Sequence, residues 1–392
     1  MIGNGTAPSS LRARAETQPI PVMHLIHTVA YGGVETAVLN WLGALDRTRY
    51  APHLVCFSTP QGVERPFMEA ARQAGFSVEA IPWRRSKPVL KASRMLAQLL
   101  RRKEIRILHT HNTYADLVGL VAARNLDVRT ITTLYVWSSF DWKRNLLQRF
   151  NRMLLPFFDL VSAHCEITYE QSLAFGVPPS KLRLLICGFD VSGYVVSCEE
   201  RRRLRSELNI QPDDPVLINV ARLYPEKEQK WLLDLFQQVR QKHPRAKLLI
   251  AGVGPLEEEL RTASTALGLD DSVVFLGFRK DLPELLSLAD VHVNTSSAEG
   301  VPLAICSAMA AALPIVATEV GGLPEILNHG KAGVLVPFGS SEKFVSAVSD
   351  FIDSPQRRRE YGDAARRFIS EDYSLNTAVQ HLQNTYDELL VQ

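Results

Sequence analysis

The sequence has no uninterrupted run of about 18 apolar residues, the length that a membrane-spanning helix requires. The nearest approach, residues 303–317, is interrupted by Ser307 and Pro314. The first 20 residues contain no apolar block, so we expect a disordered leader over residues 1–20 and not a signal peptide. We therefore expect a cytoplasmic protein without a membrane span.

Cysteine is scarce, and its spacing indicates neither disulfide nor metal chemistry. The five cysteines show no CxxC spacing, and they are Cys56, Cys165, Cys187, Cys198 and Cys306. An odd, scattered set excludes a disulfide framework and argues against a zinc site. We expect reduced thiols that act as small core residues, and we predict neither a metal nor a cofactor.

Extremes of composition are also absent, which excludes the disordered and collagen-like classes. The 392 residues are 46% hydrophobic and 22% charged, which suffices for two cores of about 150 to 200 residues each. The net charge is only +2, but residues 1–200 hold 23 Lys and Arg against 16 Asp and Glu, whereas residues 201–392 hold 21 against 26. The first half therefore carries +7, which predicts an acidic partner or a membrane surface.

Two basic runs account for much of this charge. Residues 84–106 contain nine Lys and Arg and a single acid, Glu104. In residues 143–158, basic residues such as Lys143 and Arg144 alternate with apolar ones, a pattern typical of an amphipathic helix. Each run is either an ordinary solvated helix face or a surface for an anionic membrane or acceptor.

Short apolar runs alternate with helix-length segments, a rhythm typical of βα units on a parallel sheet. In the first half, the predicted strands are residues 23–28, 53–57, 105–110, 130–134 and 160–163. In the second half, they are residues 216–219, 247–251, 273–276, 291–294, 315–317 and 333–336. The pattern predicts two doubly wound, Rossmann-like α/β domains.

The alternation lapses near residue 190, which places the domain boundary between there and a turn at residues 211–215. We predict one domain over residues 21–195 and a second over residues 205–370. The chain ends in a helix over residues 371–392, which Ser374 is expected to cap.

Ligands of such sheets bind at the carboxyl ends of the strands, so the loops there carry the candidate residues. In the first domain, Gly32 and Gly33 open a helix and form either a phosphate-binding turn or a plain strand-to-helix turn. His109 and His111 lie two residues apart on a strand and point to the same side. We expect them to hydrogen-bond a polar ligand, and the alternative is that one of the two is a hydrogen-bonded core residue. Without a third ligand nearby in sequence, a zinc site is not predicted.

In the second domain, Arg222 and Lys227 follow a strand and supply two cations that can converge on a diphosphate. They can instead form surface salt bridges with Glu226 and Glu228. Gly252 lies in another strand exit, which a plain turn also explains.

The loop at residues 295–302 leads into a helix whose N-terminus can hold an anion. Its Glu299 would repel a bare phosphate but can accept hydrogen bonds from sugar hydroxyls, unless it is simply solvated. The sequence lacks GxGxxG, which argues against a nicotinamide-dependent oxidoreductase.

Taken together, these segments resemble the retaining glycosyltransferases of family 4 over residues 22–390. The resemblance is carried, in order, by Gly32-Gly33, His109-Thr110-His111, Cys187-Gly188-Phe189-Asp190, Arg222 with Lys227, Gly252-Val253-Gly254-Pro255, Glu299-Gly300-Val301-Pro302 and Gly321-Gly322-Leu323-Pro324-Glu325. It implies the GT-B fold, in which two Rossmann-like domains face each other across a cleft. The first domain binds the acceptor, the second binds the nucleotide-sugar, and the final helix crosses back to the first.

The resemblance also implies roles for individual residues. Arg222 and Lys227 would neutralise the leaving diphosphate, Glu299 would touch the donor sugar, and His111 would lie near the reacting carbon. The predicted catalytic residues are therefore Glu299, His111, Arg222 and Lys227. The predicted donor-binding residues are Gly32, Gly33, Arg222, Lys227, Gly252, Phe278, Arg279, Glu299, Gly300, Val301, Pro302, Leu303 and Ser307, and the base is expected to meet the backbone near Phe278 and Arg279.

Three positions depart from the family pattern. Ser307 stands where the family has a second Glu that binds the nucleotide ribose, Tyr135 where many relatives have a histidine, and Glu228 where many have glycine. Ser307 therefore predicts either weaker ribose binding or a reshaped pocket.

The predicted function is retaining, metal-independent transfer of a hexose from a nucleotide-sugar, with UDP as the favoured nucleotide, to a glycan or lipid-linked acceptor. The setting is polysaccharide biosynthesis at the inner face of the membrane, with an anionic membrane surface as a partner and no nucleic acid. The alternative is a degenerate GT-B protein that binds a nucleotide-sugar, a glycan or a protein without turnover.

Overall fold

The computed structural model describes residues 18–28, 32–84, 88–135 and 142–391, without the side chains of residues 142–145 and 147. Contacts group the chain into two units. The first comprises Met1–His164, Thr168–Cys187 and Ala378–Gln392, and the second comprises Cys165–Ile167 and Gly188–Thr377. Most of the leader predicted at residues 1–20 lies outside the described residues.

The first unit is built on a seven-stranded sheet in the order β3-β2-β1-β4-β5-β6-β7, and every neighbouring pair is parallel. The strands are β1 Ile20–Ile26, β2 Tyr50–Ser58, β3 Val78–Pro82, β4 Ile107–His111, β5 Arg129–Leu134, β6 Leu160–Ala163 and β7 Leu182–Leu184. The central strands β1, β4 and β5 are buried along most of their length, because helices cover both faces of such a sheet.

The described helices of the first half are α1 Gly33–Ala44, α2 Arg65–Gln73, α3 Val89–Arg102, α4 Thr113–Ala123, α5 Trp142–Leu154 and α6 Glu166–Ala174. One buried core, which includes Leu25, Leu96 and Val118, joins β1 to α3 and α4. These contacts fix the carboxyl ends of β1 and β4.

The second unit has a six-stranded parallel sheet in the order β10-β9-β8-β11-β12-β13. Its strands are β8 Val216–Val220, β9 Lys247–Ala251, β10 Val273–Gly277, β11 Val291–Asn294, β12 Ile315–Thr318 and β13 Val334–Val336. This is the Rossmann order, with one set of strands on each side of β8.

The helices that follow residue 190 are α7 Cys198–Glu207, α8 Gln229–Lys242, α9 Glu257–Ala266, α10 Leu282–Leu288, α11 Leu303–Ala310, α12 Leu323–Ile326, α13 Ser341–Asp353, α14 Pro355–Glu371 and α15 Leu375–Val391. As predicted, Ser374 caps α15, because its hydroxyl accepts a hydrogen bond from the Thr377 amide at 3.1 Å. From Ala378 onward, α15 groups with the first unit. Within that unit, Tyr50 donates to Asp387 of α15 at 2.5 Å.

Two strands of the first sheet were absent from the sequence prediction. The strand β3 is a short edge strand that carries Glu79, and β7 has only three residues, so neither forms the apolar run used to assign strands. As a result, the strand that ends at His111 is the fourth in the chain, and Tyr135 follows the fifth.

The cysteines differ in their environments. All five lie outside disulfides, and Cys56, Cys165 and Cys306 are buried. Cys198, however, is exposed at the start of α7, so the prediction that it is a core residue is wrong. Among the described residues, no helix combines the length and the apolar character needed to cross a bilayer.

Candidate functional site

Each sheet has a point at which the strand order reverses. In the first, β2 lies on one side of β1 and β4 on the other, and in the second β9 and β11 flank β8 in the same way. Loops that leave neighbouring strands at such a point diverge and open a crevice for ligands. Gly32 follows β1 and His111 is the last residue of β4, whereas Lys227 and Glu299 follow β8 and β11. The predicted residues thus flank the reversal point of their own sheet.

The loops after β8 and β11 are tied together by hydrogen bonds. Thr295 donates its hydroxyl to the carbonyl of Lys227 at 3.1 Å, and the amide of Ser297 donates to the carbonyl of Glu226 at 2.9 Å. Lys227 ends a single 3₁₀ turn, Pro225–Lys227. The next residue, Glu228, adopts a left-handed conformation with φ of 53°. Glycine adopts that conformation without strain, which gives a physical reason for the glycine in relatives.

The centre of the second unit's site is a buried ion pair. Lys227 Nζ lies 2.7 Å from Glu299 Oε1, with side chains 13% and 7% exposed. Ser296 and Asn294 donate to the same oxygen at 2.7 and 3.3 Å. These three donors orient the carboxylate through Oε1 and leave Oε2 outside their contacts. Lys227 therefore pairs with Glu299. It does not pair with Glu228, which the sequence offered as a surface partner.

Arg222 lies at the surface of the same loop. Its guanidinium is 58% exposed, lies over the ring of Tyr224 and reaches Glu226 at 3.4 Å. The expected surface salt bridge with Glu226 is therefore present. An exposed pair of this kind contributes little, about 0 to 1 kcal/mol, so a diphosphate can displace Glu226 at low cost.

Two glycines allow backbone segments of the site to pass very close to each other. A Cβ on Gly252 would lie 1.8 Å from the carbonyl oxygen of Ala221, next to Arg222. A Cβ on Gly321 would lie 1.9 Å from the carbonyl oxygen of Glu299. A plain turn therefore does not fully explain Gly252. Because glycine has no Cβ, the chain that leaves β9 can pass close to the loop that bears Arg222.

Ser307 has an unexpected partner. Its hydroxyl is buried on α11 and lies 2.9 Å from the hydroxyl of Tyr194. Burial raises the pKa of Tyr194, and the hydrogen bond to Ser307 partly offsets that shift. The phenol of Tyr194 thus lies directly against the side chain at the position where the family has a glutamate. No sequence signal pointed to Tyr194, since it lies in the irregular segment near residue 190.

The remaining predicted donor-binding residues of the second unit follow β10 and β11 in the chain. Gly300 to Leu303 are half-buried, and Leu303 begins α11, whose N-terminus carries partial positive charge. Phe278, just after β10, is 70% exposed. The guanidinium of Arg279 is engaged by Asp281, with Nε 2.8 Å from Oδ1. The expected contact of a base with the backbone near Phe278 and Arg279 stays a prediction.

In the first unit, Gly32 precedes α1, and its amide donates to Glu35 Oε2 at 3.1 Å. Burial raises the pKa of Glu35. The backbone amide of Gly32, which the sequence predicts to meet a phosphate, thus already donates to a partner within the chain. Gly33, by contrast, is exposed. Tyr31, the residue before this pair, lies outside the described part of the chain.

His109 and His111 point to the same side, as predicted, and their ring centroids are 4.5 Å apart. The structure adds a third histidine, His24 of β1, whose Nδ1 lies 3.0 Å from His111 Nε2. All three rings are fully buried. A histidine inside the apolar strand β1 was the signal that could have revealed it.

Every ring nitrogen of these histidines has a hydrogen-bond partner. Besides the His24–His111 contact, the bonds are His111 Nδ1 to Tyr135 at 3.1 Å, His24 Nε2 to Tyr386 at 2.9 Å, His109 Nδ1 to Tyr386 at 2.8 Å and His109 Nε2 to Thr133 at 2.6 Å. Burial lowers the pKa of all three, to about 3 for His24, so the rings are neutral at pH 7. We name this chain, from Tyr135 to Thr133, the histidine column.

The ligand nitrogens of the three histidines lie within 4.8 Å of one another, the one such group in the described part of the chain. Three imidazoles are a donor set that suits zinc. Here, however, a metal would have to replace hydrogen bonds that already use all six nitrogens. His24 is 87 residues from His111 in the sequence, so local spacing does not group the two. The absence of a metal stays a prediction.

Comparison with known proteins adds independent evidence. The model of Glycosyltransferase Family 4 matches residues 31–192, and that of Glycosyl transferases group 1 matches residues 200–368. A relative described as putative glycosyltransferase EpsD, from Bacillus subtilis (strain 168), is 30% identical to this chain over 300 residues. The aligned residues cover 74% of this chain and 79% of that protein. The chain belongs to the family 4 (group 1) glycosyltransferases.

Two further proteins show the extent of the similarity. The GDP-mannose-dependent alpha-(1-6)-phosphatidylinositol monomannoside mannosyltransferase of Mycolicibacterium smegmatis is 27% identical over 365 residues, covering 88% of this glycosyltransferase and 92% of that protein. Anabaena Alr3699/HepE, solved in complex with UDP, superposes with a TM-score of 0.84 at 24% identity, over 94% of this chain and 100% of that one. The expected GT-B fold class is confirmed.

Proposed function

We propose that this glycosyltransferase is a retaining, metal-independent hexosyltransferase. It takes the sugar from a UDP-sugar, held by the second unit, and passes it to a glycan or lipid-linked acceptor, held by the first. The observation that carries the proposal is the buried Lys227–Glu299 pair beside the exposed Arg222, at the reversal point of the second sheet.

The chemistry of these residues fits the departure of a diphosphate. As the bond between the anomeric carbon and the phosphate oxygen breaks, its electron pair moves onto the diphosphate, and Lys227 and Arg222 offset that charge. Glu299 Oε2 accepts a hydrogen bond from a sugar hydroxyl and fixes the ring. The acceptor oxygen then bonds to the anomeric carbon, and its proton passes to an oxygen of the departing diphosphate. Because two side-chain cations neutralise the diphosphate, the reaction needs no metal.

Relatives support the choice of donor and acceptor. HepE has been solved with UDP and with UDP-glucose, which favours a uridine nucleotide. The mycobacterial relative acts on a phosphatidylinositol mannoside, an acceptor that carries a lipid. We infer a lipid-linked or glycan acceptor in polysaccharide biosynthesis at the cytoplasmic face of a membrane.

The stereochemistry can be tested by nuclear magnetic resonance on the first product formed from a UDP-α-hexose. We expect the α anomer, with an unchanged rate after treatment with EDTA. A β product would refute retention, and a rate lost to EDTA and restored by a divalent cation would refute metal independence.

The Tyr194–Ser307 contact makes the reshaped pocket the preferred explanation for the missing glutamate. We expect Ser307→Glu to weaken UDP binding about tenfold, because the new carboxylate meets the phenol of Tyr194 in a buried site. Calorimetry with UDP measures the change. Ser307→Glu combined with Tyr194→Ala should regain affinity, because the double variant opens space for the longer side chain. Tighter binding by Ser307→Glu alone would show that the pocket simply lacks a ribose ligand.

A surface on the first unit fits attachment to an anionic membrane. Four apolar side chains of α5 and the following turn are between 41% and 74% exposed, namely Leu146, Phe150, Met153 and Phe157. Their spacing places the first three on one helix face, beside the exposed Arg149. By contrast, Arg102 and Lys103 at the end of α3 are paired with Glu79 at 2.8 and 3.4 Å. The structure thus favours α5 over the run at residues 84–106, although the Lys143 and Arg144 side chains lie outside the described part.

We expect the protein to sediment with phosphatidylglycerol vesicles and not with phosphatidylcholine vesicles. Each basic residue near such a surface contributes about 1 kcal/mol, and about 1 M salt should release the protein by shortening the electrostatic range to about 3 Å. Lys143→Glu with Arg144→Glu, and separately Met153→Ser with Phe157→Ser, should each reduce binding. Leu90→Ser is the control, because Leu90 of α3 is an apolar residue about as exposed as Met153 and Phe157. It should leave vesicle binding unchanged. No binding at low salt would show that α5 is an ordinary solvated face.

A further inference from the structure

The histidine column continues past His109 to an end with a defined direction. Thr133 Oγ1 lies 2.7 Å from Ser162 Oγ, and the Ser162 hydroxyl donates to the carbonyl of Thr132 at 3.2 Å. A carbonyl can only accept, and with the one hydrogen of Ser162 donated to it, Ser162 accepts from Thr133. This single contact sets the direction of every bond that follows.

The direction can be traced residue by residue, because a neutral imidazole has one donor and one acceptor nitrogen. Thr133 accepts from His109 Nε2, and His109 Nδ1 accepts from Tyr386. The Tyr386 oxygen then accepts from His24 Nε2, and His24 Nδ1 accepts from His111 Nε2. Each histidine is therefore the Nε2–H tautomer, and every bond in the column is satisfied.

The outer end of the column is Tyr135. Its hydroxyl donates to His111 Nδ1, which leaves the phenol oxygen with lone pairs to offer. Tyr135 is partly exposed at the end of β5, whereas the three histidines and Tyr386 are fully buried. His111 has both nitrogens engaged, so it can influence a ligand only through Tyr135.

We propose that Tyr135 is the residue that accepts a hydrogen bond from the hydroxyl of the acceptor, and that Tyr386 is a positioning residue which holds the histidine column in one direction. The inference rests on the proposed function, since it names the group that orients the attacking alcohol. Tyr386 is the link at which α15 enters the column: its oxygen joins His24 to His109, one of which donates and the other accepts. Without it the two halves of the column are independent, and the tautomer of His111 is no longer fixed.

The test combines spectra and kinetics. With ¹⁵N-histidine labelling, we expect His24, His109 and His111 of the unliganded protein to be Nε2–H tautomers at pH 7, and the His24 and His109 signals to change in Tyr386→Phe. With UDP-glucose and water as acceptor, Tyr386→Phe and Tyr135→Phe should each lower kcat roughly tenfold at unchanged donor KM.

Tyr50→Phe is the matched control. Tyr50 also anchors α15 through its hydroxyl, at 2.5 Å from Asp387 and 3.1 Å from the Gln383 carbonyl, but it lies outside the column. It should keep kcat within about twofold, so a loss confined to Tyr386→Phe cannot come from a loosened helix. Nδ1–H tautomers in the wild type, or wild-type kcat in Tyr386→Phe or Tyr135→Phe, would overturn the inference. If the wild type releases UDP from neither UDP-glucose nor any other UDP-sugar, the proposed function fails, and the spectra alone decide the direction of the column.

Discussion

Replacing Lys227 by methionine is expected to lower kcat about a hundredfold at saturating donor, because the variant loses a cation aimed at the leaving diphosphate. The change also leaves Glu299 as a buried carboxylate without its ion-pair partner, at a cost of about 3 to 5 kcal/mol in stability. Steady-state release of nucleoside diphosphate measures the first effect, and thermal unfolding measures the second.

A double variant separates these two effects. Lys227→Met with Glu299→Gln removes both charges of the pair and should regain most of the stability, while activity stays low. Lys230→Ala is the matched control, since that lysine forms an exposed pair with Glu259 at 3.6 Å, and it should behave as wild type. If activity returned together with stability in the double variant, Lys227 would be a structural residue.

Gly321→Ala is expected to abolish most activity and to destabilise the protein by about 2 to 4 kcal/mol. The new Cβ would lie 1.9 Å from the Glu299 carbonyl oxygen, so the loop that presents the carboxylate must move. A displacement of about 1 Å at such a residue can cost about a hundredfold in rate. Turnover and the unfolding midpoint are the measurements.

Gly268→Ala distinguishes the close contact from backbone strain. Both glycines have positive φ, 56° and 68°, but a Cβ on Gly268 meets nothing within 4 Å. This control should lose about 1 to 2 kcal/mol from left-handed strain and keep its kcat. Equal losses of kcat in both variants would show that the approach of Gly321 to Glu299 does not matter for the reaction.

The second sheet could be predicted well from sequence because each strand is a short apolar run bounded by polar loops. All six of its predicted strands are present, and residues 247–251 and 291–294 match β9 and β11 at both ends. In the first sheet, β3 and β7 were missed because edge strands are short and only partly apolar. Strand periodicity carries no information about such edges.

The candidate site, too, could be predicted from the sequence only in part. The loops that bear Arg222, Lys227, Glu299 and His111 could be found because ligands of parallel sheets bind at carboxyl ends. Their partners could not, because Lys227 and Glu299 are 72 residues apart and His24 and Tyr386 are 362 apart. Such pairings depend on strand order and on the return of α15 to the first unit, and hydrophobic patterns encode neither.

The most direct test is release of nucleoside diphosphate from UDP-glucose, UDP-galactose, UDP-N-acetylglucosamine, GDP-mannose and ADP-glucose, each assayed with wild type and with Lys227→Met. We expect the wild type to turn over at least one UDP-sugar in the presence of EDTA, and Lys227→Met to lose that turnover. Turnover of only GDP- or ADP-sugars would contradict the choice of nucleotide. Binding of UDP by calorimetry without turnover of any donor would contradict the assignment as an active enzyme and identify a nucleotide-binding GT-B protein.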